Sequence, residues 1–250
     1  MSRLSLSLAW KMFPAARAQI KTAQKVRVPL RAKGDFAALE EIFVNQAYAP
    51  LLASLPGPVL SWVDLGCNAG MFSAWLYDRA CAEKRGAECR ALLVEPGVCI
   101  ETAREFARLN GLERFKIVQA CIGDGEPTVF YESKSSTRSS SAIKPSSREK
   151  IRHVDTTTLT DLLEAEAFGH ADLIKIDIEG AEKFLLRESG LLGRFRSGIL
   201  EWHAETTTGP EAAAWITGQG GRLTHVVAQD GTAGDPLPAR LGMLAWTMEG

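Results

Sequence analysis

The sequence predicts an α/β fold, a mainly parallel sheet with helices on both faces and a helical extension at the N-terminus. Three observations carry this expectation. Short apolar runs alternate with amphipathic ones along most of the chain, the pattern of strand–helix–strand units. The apolar run over residues 59–65 ends in a tight turn, Gly66-Cys67-Asn68-Ala69-Gly70, and a helical stretch follows at once. The last two apolar runs, residues 223–228 and 241–247, have no helical stretch between them and read as an antiparallel pair.

Taken in order, residues 1–34 hold eight Lys or Arg and no Asp or Glu, with breaks at Pro14 and Pro29, and read as a loose helical arm. Asp35 is placed to cap a helix starting at Phe36, and Phe36, Leu39, Phe43 and Ala47 recur at helical spacing until an end near Pro50. Residues 1–50 thus make a basic arm and a helical lid, or else a helix packed on the sheet edge, ahead of a main domain over residues 51–250. Strand one covers 59–65 and its helix about 71–85, closing at Gly86. Strand two is Ala91-Leu92-Leu93-Val94. Its helix, about 98–109, stops at Asn110-Gly111, a strong C-terminal signal. Strand three spans 115–122 and a hairpin-like piece follows at 128–131. The serine-rich residues 132–150 have the composition of a mobile loop. A helix over 159–168 precedes strand four, Leu173-Ile174-Lys175-Ile176-Asp177. The next helix begins near Ala181 and buries Phe184, Leu185 and Leu191. Strand five is Gly198-Ile199-Leu200-Glu201-Trp202, and the helix after it has Pro210 in its first turn.

Composition bounds the function. The chain has 250 residues, 46% hydrophobic and 24% charged, enough for one sizeable core. A net charge of −1 gives no overall electrostatic case for nucleic acid. The basic N-terminal residues suit either an acidic partner, including peripheral membrane contact, or plain solvation. Cys67, Cys81, Cys89, Cys99 and Cys121 form no C-x-x-C pair and no even framework, which argues against zinc and disulfides and for a reducing, cytoplasmic setting. No apolar run reaches the length of a membrane span.

Ligands of such sheets sit at the carboxyl ends of the strands. The first turn has Gly66, Asn68 and Gly70 but neither G-x-G-x-x-G nor a phosphate loop. Asp64 stands two residues before it, and a carboxylate repels a pyrophosphate but welcomes a cation. S-adenosyl-L-methionine, with its ammonium and sulfonium, therefore suits the turn better than NAD. Glu95, at the end of strand two and followed by Pro96, is placed to accept hydrogen bonds from a ribose. Cys121 and Ile122 would lie against an adenine. Asp177 and Glu179, two apart beyond strand four, admit three readings. One of them acts as a general base, both hold a hard divalent cation such as Mg2+, or Glu179 merely favours a helix start. His203, at the end of strand five, is a further candidate base.

Val63-Asp64-Leu65-Gly66-Cys67-Asn68-Ala69-Gly70, Val94-Glu95-Pro96 and above all Leu173-Ile174-Lys175-Ile176-Asp177-Ile178-Glu179-Gly180-Ala181-Glu182 resemble the FkbM family of S-adenosylmethionine-dependent methyltransferases. The resemblance covers about residues 48–204. It implies a Rossmann-like class I methyltransferase sheet of seven strands, the seventh antiparallel. It also implies methyl transfer, usually to oxygen, on sugars, glycolipids or natural products, hence a small-molecule or glycan acceptor. Carried over, Asp64, Gly66, Asn68 and Gly70 form the methionine side of the cofactor site, Glu95 takes the ribose, and Asp177 and Glu179 lie at the transfer site. Two departures are Cys67, where the family commonly has alanine, and Leu159-Thr160-Asp161, where it often has a second acid.

Overall fold

A computed structural model describes residues 18–132, 150–229 and 235–248. The chain opens with a hairpin of β1 (Ala18–Lys21) and β2 (Arg27–Leu30). Helix α1 (Lys33–Leu39) continues into a wider π-helical turn, Glu40–Val44, and α2 (Ala49–Ala53) follows. Next come β3 (Ser61–Leu65), α3 (Met71–Ala82), β4 (Arg90–Val94), α4 (Ile100–Asn110) and β5 (Phe115–Val118). Four short strands lie beyond: β6 (Cys121–Ile122), β7 (Thr128–Glu132), β8 (Lys150–Val154) and β9 (Thr156–Thr157). The chain then runs α5 (Leu159–Ala165), β10 (Ala171–Ile176), α6 (Glu182–Leu185), β11 (Phe195–His203), α7 (Gly209–Gly218), β12 (Gly221–Ala228) and β13 (Leu241–Met248).

Seven of these strands form one sheet in the order β12-β13-β11-β10-β3-β4-β5. The pairs among β5, β4, β3, β10 and β11 are parallel, and β13 runs antiparallel to both β11 and β12. The sequence therefore gives the expected Rossmann-like methyltransferase sheet, with the terminal pair closing one edge. Alternation along the strands divides the core. Trp62, Ala91, Leu93 and Leu173 join the cluster under α1–α4, whereas Val63, Leu65, Leu92, Val94 and Ile174 join the cluster under α5 and α7. Helices thus cover both faces. No described helix is long and apolar enough to cross a membrane.

Several local expectations are corrected. Residues 18–30 are a hairpin and not a helical arm. The antiparallel pairing of β1 with β2 and the burial of Val26, Val28 and Leu30 against the core decide it. The first helix begins at Lys33, because Asp35 sits in its first turn and takes the Arg31 and Ala32 N–H groups at 2.6 and 2.9 Å. Pro50 starts α2 where a helix end was expected, since proline fits a first turn. Strand three stops at Val118, as Cys121–Ile122 pairs with Thr156–Thr157 instead of β4. The helix after strand four is short, Glu182–Leu185, with Leu185 and Leu191 buried and Phe184 only partly so. Residues 1–17 and most of the serine-rich stretch lie outside the described residues.

The hairpin is fastened from below. The Asn110 side chain copies a strand edge, accepting from the Arg27 N–H at 2.9 Å and donating to the Arg27 carbonyl at 2.7 Å. Asn110→Ala is expected to cost about 1 kcal/mol in urea unfolding and to speed amide exchange at Arg27, because two net hydrogen bonds go. Unchanged exchange there would show that packing alone holds the hairpin.

Candidate active site

A cavity of about 350 Å3 opens at the carboxyl ends of the central strands. Its floor starts with the turn after β3. Gly66 has φ +71, and a Cβ there would stand 1.6 Å from the Asp177 carbonyl oxygen, so the position admits only glycine. The Gly66 and Cys67 N–H groups both donate to the Val94 carbonyl at 3.0 Å. Gly70, at φ +80, starts α3. Glu95 is buried, and both its oxygens are engaged: Oε2 by the Asn68 N–H at 3.1 Å, Oε1 by the Gly97 N–H at 2.7 Å. Burial raises its carboxyl above the usual range, against these two donors. Each oxygen keeps a second lone pair for a ligand. Cys67 and Cys121 are buried, and burial pushes the Cys67 thiol well up, which makes it inert. Ala120, Cys121, Ile122 and Phe130 form the apolar wall opposite.

Beneath the turn lies a buried ion cluster. The Asp64 carboxylate has no exposure; Oδ2 accepts from the Ser73 hydroxyl at 2.7 Å, and Ser73 in turn accepts from the Trp62 indole at 2.9 Å. Strand pairing sets Lys175 beside Asp64. Its ammonium lies 3.6 Å from Asp64 Oδ1, 3.0 Å from Asp177 Oδ2 and 3.0 Å from the Gly66 carbonyl. Burial alone would lower the Lys175 pKa, but Asp177, Tyr48 and Asp64 hold it well above its usual value. Burial likewise raises the Asp64 carboxyl, in spite of Lys175 and Ser73.

Beyond Lys175 the wall turns acidic. Glu41 and Tyr48 come from the N-terminal segment, Asp177 and Glu179 from beyond β10, and Glu201 from β11. Glu179 has φ +52, a sparsely populated conformation. Burial and Asp177 raise its carboxyl to about 7. Burial and Asp177 also raise Glu41, and push Glu201 well up. His203 stands behind this wall, 8% exposed. Its Nδ1 lies 3.2 Å from Glu182 Oε1 and its Nε2 3.5 Å from Glu179 Oε2. Burial would lower the imidazole, yet Glu182, Asp177 and Glu179 together raise it to about 10.

Gly66, Cys67, Asn68, Glu95, Pro96, Cys121, Ile122, Asp177 and Glu179 all line this cavity. Asp64, Gly70 and His203 do not. Asp64 faces Lys175 and not a ligand, Gly70 packs toward Ala103, and His203 is engaged by Glu182. With a raised pKa and no place on the wall, His203 does not offer the free imidazole expected of a base. Sequence reasoning gave no role to Glu41, Tyr48 and Lys175, and read Glu201 only as an acid at the end of strand five. The motif contains Lys175 and the end of strand five contains Glu201, so both carried a signal. Glu41 and Tyr48 carried none beyond their place in the expected lid.

Comparison with known proteins adds three findings. The family profile described as Methyltransferase FkbM domain matches residues 64–223. No curated protein matches the chain. Among solved structures, the chain is similar to a SAM-dependent methyltransferase from Aquifex aeolicus, with 12% identity, 84% of this chain and 93% of that one covered, and a TM-score of 0.44. It is also similar to a precorrin-6y C5,15-methyltransferase from Geobacter metallireducens, with 10% identity, 82% and 88% covered, and a TM-score of 0.46. A third is TYW2 of M. jannaschii in complex with AdoMet, with 12% identity, 93% and 87% covered, and a TM-score of 0.44.

The buried cluster makes a stability prediction. Lys175→Met leaves Asp64 and Asp177 without their counter-ion and is expected to lower the unfolding free energy by about 3–5 kcal/mol. Urea denaturation measures it; an unshifted midpoint would mean that the cluster does not need its cation.

Proposed function

The chain belongs to the FkbM methyltransferase family and is an S-adenosylmethionine-dependent methyltransferase, and on that premise we propose that it methylates a hydroxyl oxygen of a sugar, glycolipid or other natural product. The observation that carries the cofactor half of this reading is Glu95, a buried carboxylate at the end of β4 with the glycine turn on one side and an apolar wall on the other. The cavity volume falls within the range of small-molecule and cofactor sites, so the residues present fit the cofactor.

Bound S-adenosyl-L-methionine would supply a methyl group made electrophilic by its sulfonium. The turn Gly66, Cys67 and Asn68 would line the methionyl end, its glycine letting the ligand approach the main chain. Glu95 would accept from the ribose hydroxyls, and Pro96, Cys121 and Ile122 would flank the adenine. Asp64 and Gly70 serve this site indirectly. Asp64 fixes Lys175, which donates to the Gly66 carbonyl, and Gly70 launches α3. On the acceptor side, Asp177 or Glu179 takes the hydroxyl proton while the surrounding wall aligns oxygen with methyl. His203 orients this wall from behind. A small-molecule or glycan acceptor suits a cavity of this size better than a nucleic acid. An amine acceptor, bound as its ammonium and deprotonated before methylation on nitrogen, is the second reading, favoured by the carboxylates of Glu41, Asp177, Glu179 and Glu201 on the wall.

Calorimetric titration with S-adenosyl-L-methionine tests the cofactor site. Wild type is expected to bind, and Glu95→Ala to bind at least about tenfold more weakly, a difference near 1.4 kcal/mol. A folded wild type that does not bind would overturn the reading; equal binding by the variant would remove Glu95 from the ribose.

A further inference from the structure

We propose that Asp177, Glu201 and His203 form a site for a divalent cation, Mn2+ in preference to Mg2+, at the acceptor side of the cavity; the assignment of that side rests on the methyltransferase reading above. β10 and β11 are parallel neighbours, and their register ends with Ile176 opposite Leu200. Asp177 and Glu201 are the next residue on each chain, so the register delivers two carboxylates side by side. His203 lies two residues further along β11, on the same face as Glu201. One ligand atom from each of the three falls within 4.8 Å of the others.

Two further observations point to a ligand there. His203 is more than nine-tenths buried, and its Nδ1 is held by Glu182, a carboxylate with no exposure that also accepts the Ile178 N–H at 3.1 Å. This leaves Nε2, beside the acids, as the nitrogen to take the cation, which would displace the proton held there. Nε2 pairs with Glu179 Oε2 at 3.5 Å, an ion pair that a bound cation would replace. A carboxylate behind one ring nitrogen with the other turned toward oxygen ligands is the arrangement by which proteins orient metal-binding histidines. Second, the Glu201 carboxylate lines the cavity and accepts no hydrogen bond among the described residues. A carboxylate so placed wants a cation, and Lys175 is committed to Asp64, Asp177 Oδ2 and Gly66. Asp177 Oδ1 stays available.

The donor set selects the ion. Two carboxylate oxygens and one imidazole nitrogen are softer than the all-oxygen shell preferred by Mg2+, and they suit Mn2+. Such a cation would bind the acceptor oxygen and make its proton easier to remove.

The test uses the full chain after treatment with a chelator and dialysis. Mn2+ is added and the free ion is followed by its paramagnetic resonance signal. One equivalent is expected to bind, Mg2+ to compete only in excess, and Glu201→Gln and Asp177→Asn each to weaken binding by about tenfold or more, with circular dichroism confirming their fold. Several weak equivalents that ignore both substitutions would mean an adventitious ion only and overturn the site. Titration of the same metal-free samples with S-adenosyl-L-methionine separates the two readings. Cofactor binding without Mn2+ binding overturns the metal site alone and hands the carboxylates to an ammonium-bearing acceptor. Loss of both overturns the methyltransferase reading beneath it.

Discussion

One buried ammonium ties this structure together. Lys175 sits at the end of the central strand pair, and its three contacts reach the first strand, the glycine turn and the acid beyond β10. Each of those groups would be costly to bury without it. Asp64 would be an isolated charge beneath α3. The Gly66 carbonyl would lose its donor, and Asp177 would have no reason to hold its place. The helix above contributes as well, since Ser73 and Trp62 complete the chain of donors to Asp64. The glycine turn and the acidic wall are therefore two sides of one electrostatic unit.

The sheet was legible because its signals are local. Short apolar runs mark the strands, amphipathic runs the helices, and glycine, proline and Asn110-Gly111 punctuate the gaps. The two core clusters divide the strands residue by residue, Trp62 to one face and Val63 to the other. The cavity lining was legible where it comes from the glycine turn and the strand end beside it, as at Gly66, Asn68 and Glu95. Asp64 illustrates the limit. Its charge and position were plain, but its neighbour depends on strand register, and Lys175 lies 111 residues along the chain. A sequence shows that an acid precedes a glycine turn; it does not show that a lysine from another strand already occupies it.

The N-terminal segment was misread for a related reason. Its basic residues and proline breaks suggested a loose helical arm, while Val26, Val28 and Leu30 carried the strand signal in a run too short to stand out. The π-helical turn at Glu40–Val44 has no sequence mark at all. Yet this turn brings Glu41 to the cavity, and Tyr48 follows it onto the same wall. His203 shows the converse. It was identified by its place at a strand end, and the structure keeps that place but gives the ring to Glu182.

The contact between Gly66 and the Asp177 carbonyl has a consequence for how such an enzyme can diversify. A space that a single methyl group would overfill joins the glycine turn to the strand end at Asp177. Neither can be remodelled without displacing the other, so the strand ends form a frozen unit. Variation in what is methylated must then come from outside it. The hairpin and first helices contribute Glu41 and Tyr48 through a segment contiguous in sequence and clasped by Asn110. That segment is the exchangeable part of the cavity wall, a faceplate that can be altered without displacing the strand ends.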